Sequence, residues 1–333
     1  MIGYGIDDGR LLACLVVFLC TIPLFGYRVA AIERQPLTRM VAWGFVSVCV
    51  LFVERMSVAE PQGTRMLLII VALLWSMKAV VYTESLQYGN QSLTFGQWLC
   101  FCVGWFGMRS ELFNRLPSNQ LADWRQYCGR GLIRLALGAV FIGVAWALTH
   151  SGTEPNVAIT PWKLWFSTAC LLTGLSLFFH FGIFNLVAGM WRFFGVKCLA
   201  LFRAPLLSES LSDFWGYRWN RAFSEMTAIA VFRPLRQHGK RAGQSSVVAT
   251  AGAFLFSGLL HELAISVPVQ AGFGLPMLYF AIQAIGMTIE KRATFLTSKL
   301  IGRAWSAAWV LIPVPILFHK PFLAGCVWPL VGM

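Results

Sequence analysis

The run 247-VVATAGAFLFSGLLHELAISVP-268 is apolar except for small hydroxyl residues and one adjacent pair, His261 and Glu262. A hydrocarbon core about 30 Å thick takes about 20 apolar residues per helical crossing. The run therefore reads as a membrane-spanning helix with two ionisable groups in its second half. Comparable runs occur at 11–27, 39–53, 66–82, 92–108, 131–149, 162–190, 274–290 and 300–318, with a shorter apolar end at 321–333. Some are short, 39–53 among them, and one of these is a candidate re-entrant segment. The run 162–190 is long enough to tilt strongly or to continue past the membrane face. Of the 333 residues, 57% are hydrophobic and only 12% charged, a balance that excludes a soluble domain with a water-facing surface. The expected fold is all-α, a polytopic transmembrane helix bundle of about 8–10 helices. No fixed-period repeat, low-complexity tract or long linker divides it, so 1–333 reads as a single integral membrane domain.

The net charge of +13 is compatible in principle with a nucleic-acid partner. Lys and Arg, however, lie in short segments between apolar runs, where the positive-inside bias places them, and no nucleic acid is expected as a partner. Segment 191–246 holds nine Lys and Arg residues among few acids and is expected to be cytoplasmic. Counting forward puts 269–273 outside and Lys291 to Arg303 inside; counting backward puts 150–161 outside and 109–130 inside. One step then fails: the basic loop 28–39 also reads as inside, yet three apolar runs separate it from 109–130. Either one run does not cross or the charges of 28–39 do not decide. Asp7 and Asp8 precede the first run in place of a basic leader, so 11–27 reads as a retained span. The nine Cys include no Cys-x-x-Cys pair and lie mostly in apolar runs, so buried free thiols are expected, with no disulfide framework or metal site.

The extended hydrophilic part, 203–246, contains the block 205-PLLSESLSDFWGYRWN-220. Pro205 and Ser208 provide a turn, and Ser212 or Asp213 is placed to cap a helix beginning near Phe214. On such a helix Phe214, Tyr217 and Arg221 share one face and Trp215, Trp219 and Ala222 another, as in an amphipathic segment at headgroup level. Asp213-Phe-Trp-Gly-Tyr-Arg-Trp-Asn220 resembles the Asp-Phe-Trp-Gly-x-Arg-Trp-Asn signature of the membrane-bound O-acyltransferase superfamily, in its wax-synthase-like branch. His261 falls where that family carries its intramembrane histidine. The resemblance covers about 200–290 and departs at Tyr217, where relatives often carry a basic residue. It implies transfer of an acyl group from acyl-CoA, as substrate and not as a permanently bound cofactor, to the hydroxyl of a lipophilic alcohol or small metabolite. It also implies membrane lipids as surroundings and Asn220 and His261 as the active-site pair.

The residues themselves suit that chemistry. Acyl transfer from a thioester to an alcohol needs a base for the hydroxyl proton, a donor for the developing oxyanion and exclusion of water. A neutral imidazole at His261 serves as base, and the Asn220 amide donates without adding a charge. Intramembrane ionisable groups are costly and tend to be functional. Ser257, at i−4 from His261, either orients a ring nitrogen or satisfies its hydroxyl on the preceding turn. Glu262 lies about 100° round the helix from His261; a carboxylate at that depth is protonated or paired, with an Arg of 203–246 as candidate partner. Arg218, Arg221, Arg233 and Arg236 suit the coenzyme's phosphates or serve as topology charges. Asp213 belongs to the block, and Trp215 and Trp219 either line the pantetheine path or anchor at the interface. His180 and Asn185, five apart and hence on different faces, read as helix-packing polar residues. His150, His238 and His319, at segment ends, read as solvated.

His261 stands about 21 Å into its helix, at about 1.5 Å per residue from residue 247. For Asn220 to share its thioester, 203–246 must dip into the membrane and the bundle must enclose a reaction tunnel. Two rivals use the same residues. An intramembrane serine protease would pair Ser257 with His261, but from one helix. A transporter or channel would use His261 and Glu262 as a relay, leaving Asp213 to Asn220 unexplained.

Overall fold

A computed structural model describes residues 3–6, 8–32, 35–116, 118–150, 160–241, 246–292 and 298–333. Asp7, most of the 150–161 loop, part of the Lys291–Arg303 loop and the His238 side chain fall outside them. Described secondary structure is helical throughout: α1 Gly9–Ala30, α2 Gln35–Met56, α3 Gln62–Gln87, α4 Phe95–Cys102, α5 Trp124–His150 and α6 Pro161–Phe193 precede the signature block. The block forms α7 (211–218), and α8 (221–241) leads into α9 Val247–Val269, α10 Leu275–Glu290, α11 Lys299–Leu317 and α12 Lys320–Val331. Seven of these, α1, α2, α3, α5, α6, α9 and α11, are long and apolar enough to cross a membrane, and α10 and α12 are shorter apolar helices. The chain is a polytopic bundle, as its composition requires.

Two apolar runs behave differently from expectation. The short run 39–53 lies within a helix of 22 residues and is not the re-entrant one. Instead 92–108 yields only the 8-residue α4, about 12 Å long at 1.5 Å per residue and far too short to cross. Thr94 and Gln97 start it with a reciprocal capping box. Past Cys102 the chain turns back, which leaves carbonyls without helical partners. Lys78, fully buried on α3, donates its ammonium hydrogens to the Phe101 and Trp105 carbonyls at 3.1 and 2.9 Å and to that of Gly107. Irregular backbone is tolerated at this depth because it is buried in protein and satisfied there.

This removes the inconsistency in the charge count, since only α2 and α3 now separate the basic loop 28–39 from 109–130. Contacts place the basic segments at one end. Arg39 forms a double hydrogen bond with Glu84 at 2.6 and 2.8 Å, and Arg233 lies 5.7 Å over the ring of Tyr88, next to that end of α3. Arg192 clamps Asp123 at 2.8 and 2.7 Å. At the opposite end Arg65 reaches the Pro268 carbonyl and Glu54, and Tyr4 reaches the Cys326 carbonyl.

Packing follows the small-residue rule of membrane helices. A β-carbon on Gly138 of α5 would lie 2.6 Å from the Phe178 nitrogen, and one on Gly174 of α6 would lie 2.8 Å from Ile142. The α5–α6 pair can approach only because both are glycine. One core joins α1 to α4 with α6 and α8, and a second joins α5, α6, α9, α10 and α12. The signature block lies at their junction.

Candidate active site

Local chemistry shapes the block differently from one amphipathic helix. Pro205 to Leu207 form a single 3₁₀ turn closed by the Ser208 hydroxyl, which donates to the Pro205 carbonyl. The cap is Ser210, not Ser212 or Asp213: its Oγ accepts from the Asp213 N–H at 2.9 Å. Residues Phe214–Arg218 then widen into a π turn, and the Trp219 N–H closes it by donating to the Phe214 carbonyl at 2.8 Å. Trp219 is extended, Asn220 is left-handed at φ 43° and ψ 66°, and a new helix begins at Arg221. The break at 219–220 removes the expected shared faces, and Trp219 instead stacks back on Phe214, centroids 5.6 Å apart.

The block is clamped from three sides. Glu290, at the end of α10, accepts from the Leu211 and Ser212 N–H groups at 2.5 and 3.1 Å. Segment 200–204 holds its other end: the Arg203 N–H donates to the Arg218 carbonyl and the Arg221 N–H to the Leu201 carbonyl. Asp213 and Arg218 are each other's partners, 2.6 Å apart. Trp215 Nε1 donates to Gln283 on α10 at 3.3 Å, and its ring meets Phe254 of α9 and Phe280 of α10. The segment thus packs against α9 and α10.

His261 is half-buried, its ring between Phe223 of α8 at 5.4 Å and Phe280 at 4.4 Å. Its Nδ1 lies 2.7 Å from the Ser257 carbonyl. A carbonyl only accepts, so Nδ1 carries the hydrogen and Nε2 presents a lone pair. Among the described residues nothing hydrogen-bonds to Nε2. The Ser257 hydroxyl is engaged elsewhere, donating to the Ala253 carbonyl at 2.9 Å, so Ser257 orients the ring through its backbone. Asn220 Oδ1 accepts from the Phe223 N–H at 3.2 Å, which caps the helix and leaves Nδ2 as a donor without a partner among the described residues. Phe223 thus connects the pair: it closes the Asn220 cap and touches His261.

The remaining residues divide. Glu262 is buried, but its partner is not an arginine: Oε1 accepts from the Gly274 and Met277 N–H groups at 2.8 and 3.1 Å, at the N-terminus of α10, where a carboxylate is favoured. Arg221 lies 3.5 Å from Glu225, whose carboxyl is pushed up by burial against the opposing pull of Arg221 and Arg109. Arg233 and Arg236 lie over the rings of Tyr88 and Phe232. His319 is 4% exposed and not solvated, with Nδ1 accepting from the Phe322 N–H at 3.3 Å. His150 is exposed and stacks on Trp146.

His180 sits in a π turn and Asn185 just after it. Residues Ser176–Ile183 form this turn, which closes i to i+5 in place of i+4. His180 stacks on Phe202 at 4.6 Å and lies 5.9 Å from Trp219, and the Asn185 amide donates to the Phe181 carbonyl at 2.6 Å. Phe223, Phe280, Gln283 and Glu290 escaped the sequence reading. Only Glu290 had a legible signal, an acid at the end of an apolar run.

Residues 198–282 match the Membrane bound O-acyl transferase family. A probable long-chain-alcohol O-fatty-acyltransferase of Arabidopsis thaliana is 41% identical over 63 residues, 19% of this chain and 18% of that protein. Another from the same plant is 28% identical over 134 residues, 37% of this chain and 39% of its own length. An acyl-CoA–sterol O-acyltransferase of Arabidopsis thaliana is 39% identical over 64 residues, 19% of each chain. The chain thus matches well under half the length of these relatives. The matched residues 198–282, which hold the Trp-rich block, Asn220 and His261, are thus similar to the membrane-bound O-acyltransferase family and to plant long-chain-alcohol O-fatty-acyltransferases.

Proposed function

We propose that this protein transfers an acyl group from acyl-CoA to the hydroxyl of a lipophilic alcohol or small hydroxylated metabolite, with His261 as general base and Asn220 as donor to the acyl carbonyl. The observation that carries the reading is that Phe223 donates its N–H to a left-handed Asn while its ring touches an imidazole, and that the Nδ2 of the one and the Nε2 of the other have no partner among the described residues. The acceptor oxygen attacks the thioester carbon while its proton passes to Nε2, and the carbonyl oxygen takes up charge facing Nδ2. The tetrahedral intermediate expels the thiolate, which recovers the proton from the imidazolium, leaving an ester and free coenzyme A. The Phe223 and Phe280 rings beside His261 keep water from the thioester. Relatives named for long-chain alcohols and for a sterol support a lipophilic acceptor. The basic end, with 191–246, is the cytoplasmic one by the positive-inside bias, so the coenzyme enters there.

The relay reading is the weaker one, because Glu262 Oε1 is committed to the first turn of α10. Purified protein incubated with a panel of acyl-CoAs and alcohols is expected to release free thiol. His261→Ala is expected to lower the rate by roughly 10²–10⁴. Wild-type turnover in folded His261→Ala protein ends the proposal, and a carrier releases no thiol at all.

A further inference from the structure

Two adjoining clefts at the basic end share Arg203 and Arg218. The larger, about 300 Å³, is lined also by Arg130, Arg134, Asn185 and Phe202; the smaller, about 220 Å³, by Asp213 and Tyr217. Arg130 and Arg134 stand one turn apart at the start of α5, outside the family match, and Arg203 comes from the segment that clamps the block. Other arginines at this end have carboxylate partners: Arg109 with Glu111, Arg192 with Asp123, Arg221 with Glu225 and Arg218 with Asp213. Among the described residues no carboxylate pairs with Arg130, Arg134 or Arg203. Like charges one turn apart destabilise a helix, and three guanidinium groups facing one cleft repel each other unless an anion joins them. Their planar donor forks match phosphate oxygens.

We propose that this cleft is a phosphate-binding site that seats the phosphorylated nucleotide end of the acyl donor. The inference rests on the acyl-transfer reading. It moves the coenzyme's phosphates away from Arg221, which is paired with Glu225, and from Arg233 and Arg236, which do not line the cleft, to Arg203 and the α5 arginines, of which Arg134 also lies 5.5 Å over the Phe181 ring. Phe202, on the cleft wall, meets the Trp219 ring at 5.0 Å, and Trp219 leads through Asn220 and Phe223 to His261. A coenzyme bound by its phosphates in the cleft would run its pantetheine arm along these rings. The other source of phosphate is an anionic lipid headgroup, since Leu132 and Ile133 beside Arg134 are 59% and 64% exposed on the outer face of α5.

The test is equilibrium binding of coenzyme A, the free thiol, to the full chain in phosphatidylcholine nanodiscs, which needs no turnover. Each of Arg130→Gln, Arg134→Gln and Arg203→Gln is expected to weaken binding roughly tenfold or more, from a charged hydrogen bond of about 1.5–3 kcal/mol. Arg125→Gln, on the same helix but off the cleft, is expected to leave it unchanged. Inorganic pyrophosphate is expected to displace coenzyme A from wild type. Unchanged coenzyme A affinity in the triple variant, at a wild-type unfolding midpoint, overturns the assignment. So does loss of phosphatidylglycerol retention with coenzyme A binding intact, which makes the cleft a lipid site. Should the triple variant fail to fold, Arg203→Gln alone decides, because Arg203 is exposed and its backbone makes the clamp. Binding that is lost in the variants while wild type transfers no acyl group supports the cleft and refutes only the acyl-transfer reading.

Discussion

Asn220 caps a helix and is proposed to serve as a donor, and substitution can separate the two roles. Its backbone is left-handed, and its Oδ1 caps the helix at Arg221 by accepting from Phe223. Asn220→Ala loses the cap, about 1 kcal/mol, and loses the local side-chain hydrogen bonding by which Asn tolerates a left-handed backbone that costs other L-residues about 1–2 kcal/mol. The expected cost is about 2–3 kcal/mol of stability, so lost turnover in that variant mixes folding with chemistry. Asn220→Asp keeps both the cap and the tolerance of left-handed backbone but has no N–H to offer the carbonyl. Asn220→Gly keeps the backbone freedom and loses only a few tenths of a kcal/mol as a cap. Both are expected to unfold near the wild-type midpoint while kcat falls roughly 10²–10³, about 2.7–4 kcal/mol of transition-state stabilisation. Thiol release with a colorimetric reagent, run beside thermal unfolding in the same detergent, measures both quantities. Wild-type kcat in either variant refutes the donor role and leaves Asn220 as a cap. A raised KM with unchanged kcat reduces it to positioning the coenzyme.

Ser257→Ala is expected to leave turnover close to wild type, because the ring of His261 is held by the residue 257 carbonyl and not by its hydroxyl; abolished activity would favour a Ser257–His261 dyad. Lys78→Met leaves buried carbonyls of 101, 105 and 107 unpaired at about 1–3 kcal/mol each. It is expected to lower the unfolding midpoint and to open Cys102, now 0% exposed, to maleimide. An unchanged midpoint with Cys102 still protected would mean that Lys78 does not hold the re-entrant turn.

Much of the site was legible because its parts are chemically unusual for their surroundings. An imidazole in an apolar run is costly wherever the run packs, so His261 stood out before any fold was known. The block stood out by its density of Trp beside Asp, Arg and Asn. Partners were less legible. Glu262 was expected to meet an arginine and instead caps α10, because helix N-terminal N–H groups satisfy a carboxylate as well as a guanidinium does. His319, near a segment end, is buried by the turn at Gly272, on which a β-carbon would lie 2.4 Å from its Nε2. The π turn at Ser176–Ile183, which stacks His180 on Phe202, is announced by no residue spacing.

The amino-acid sequence alone determined that this chain crosses a membrane, which end is basic, and which imidazole and amide are candidates for chemistry, since these follow from transfer free energies and residue types. Only the tertiary structure decided which apolar run fails to cross. Runs 39–53 and 92–108 both read as apolar, and the second turns back where Lys78, on another helix, places an ammonium that satisfies carbonyls otherwise left unpaired. It decided as well that Phe223 joins Asn220 to His261, because contact between segments distant in the chain depends on how α8 and α9 pack and on no property that either segment has alone.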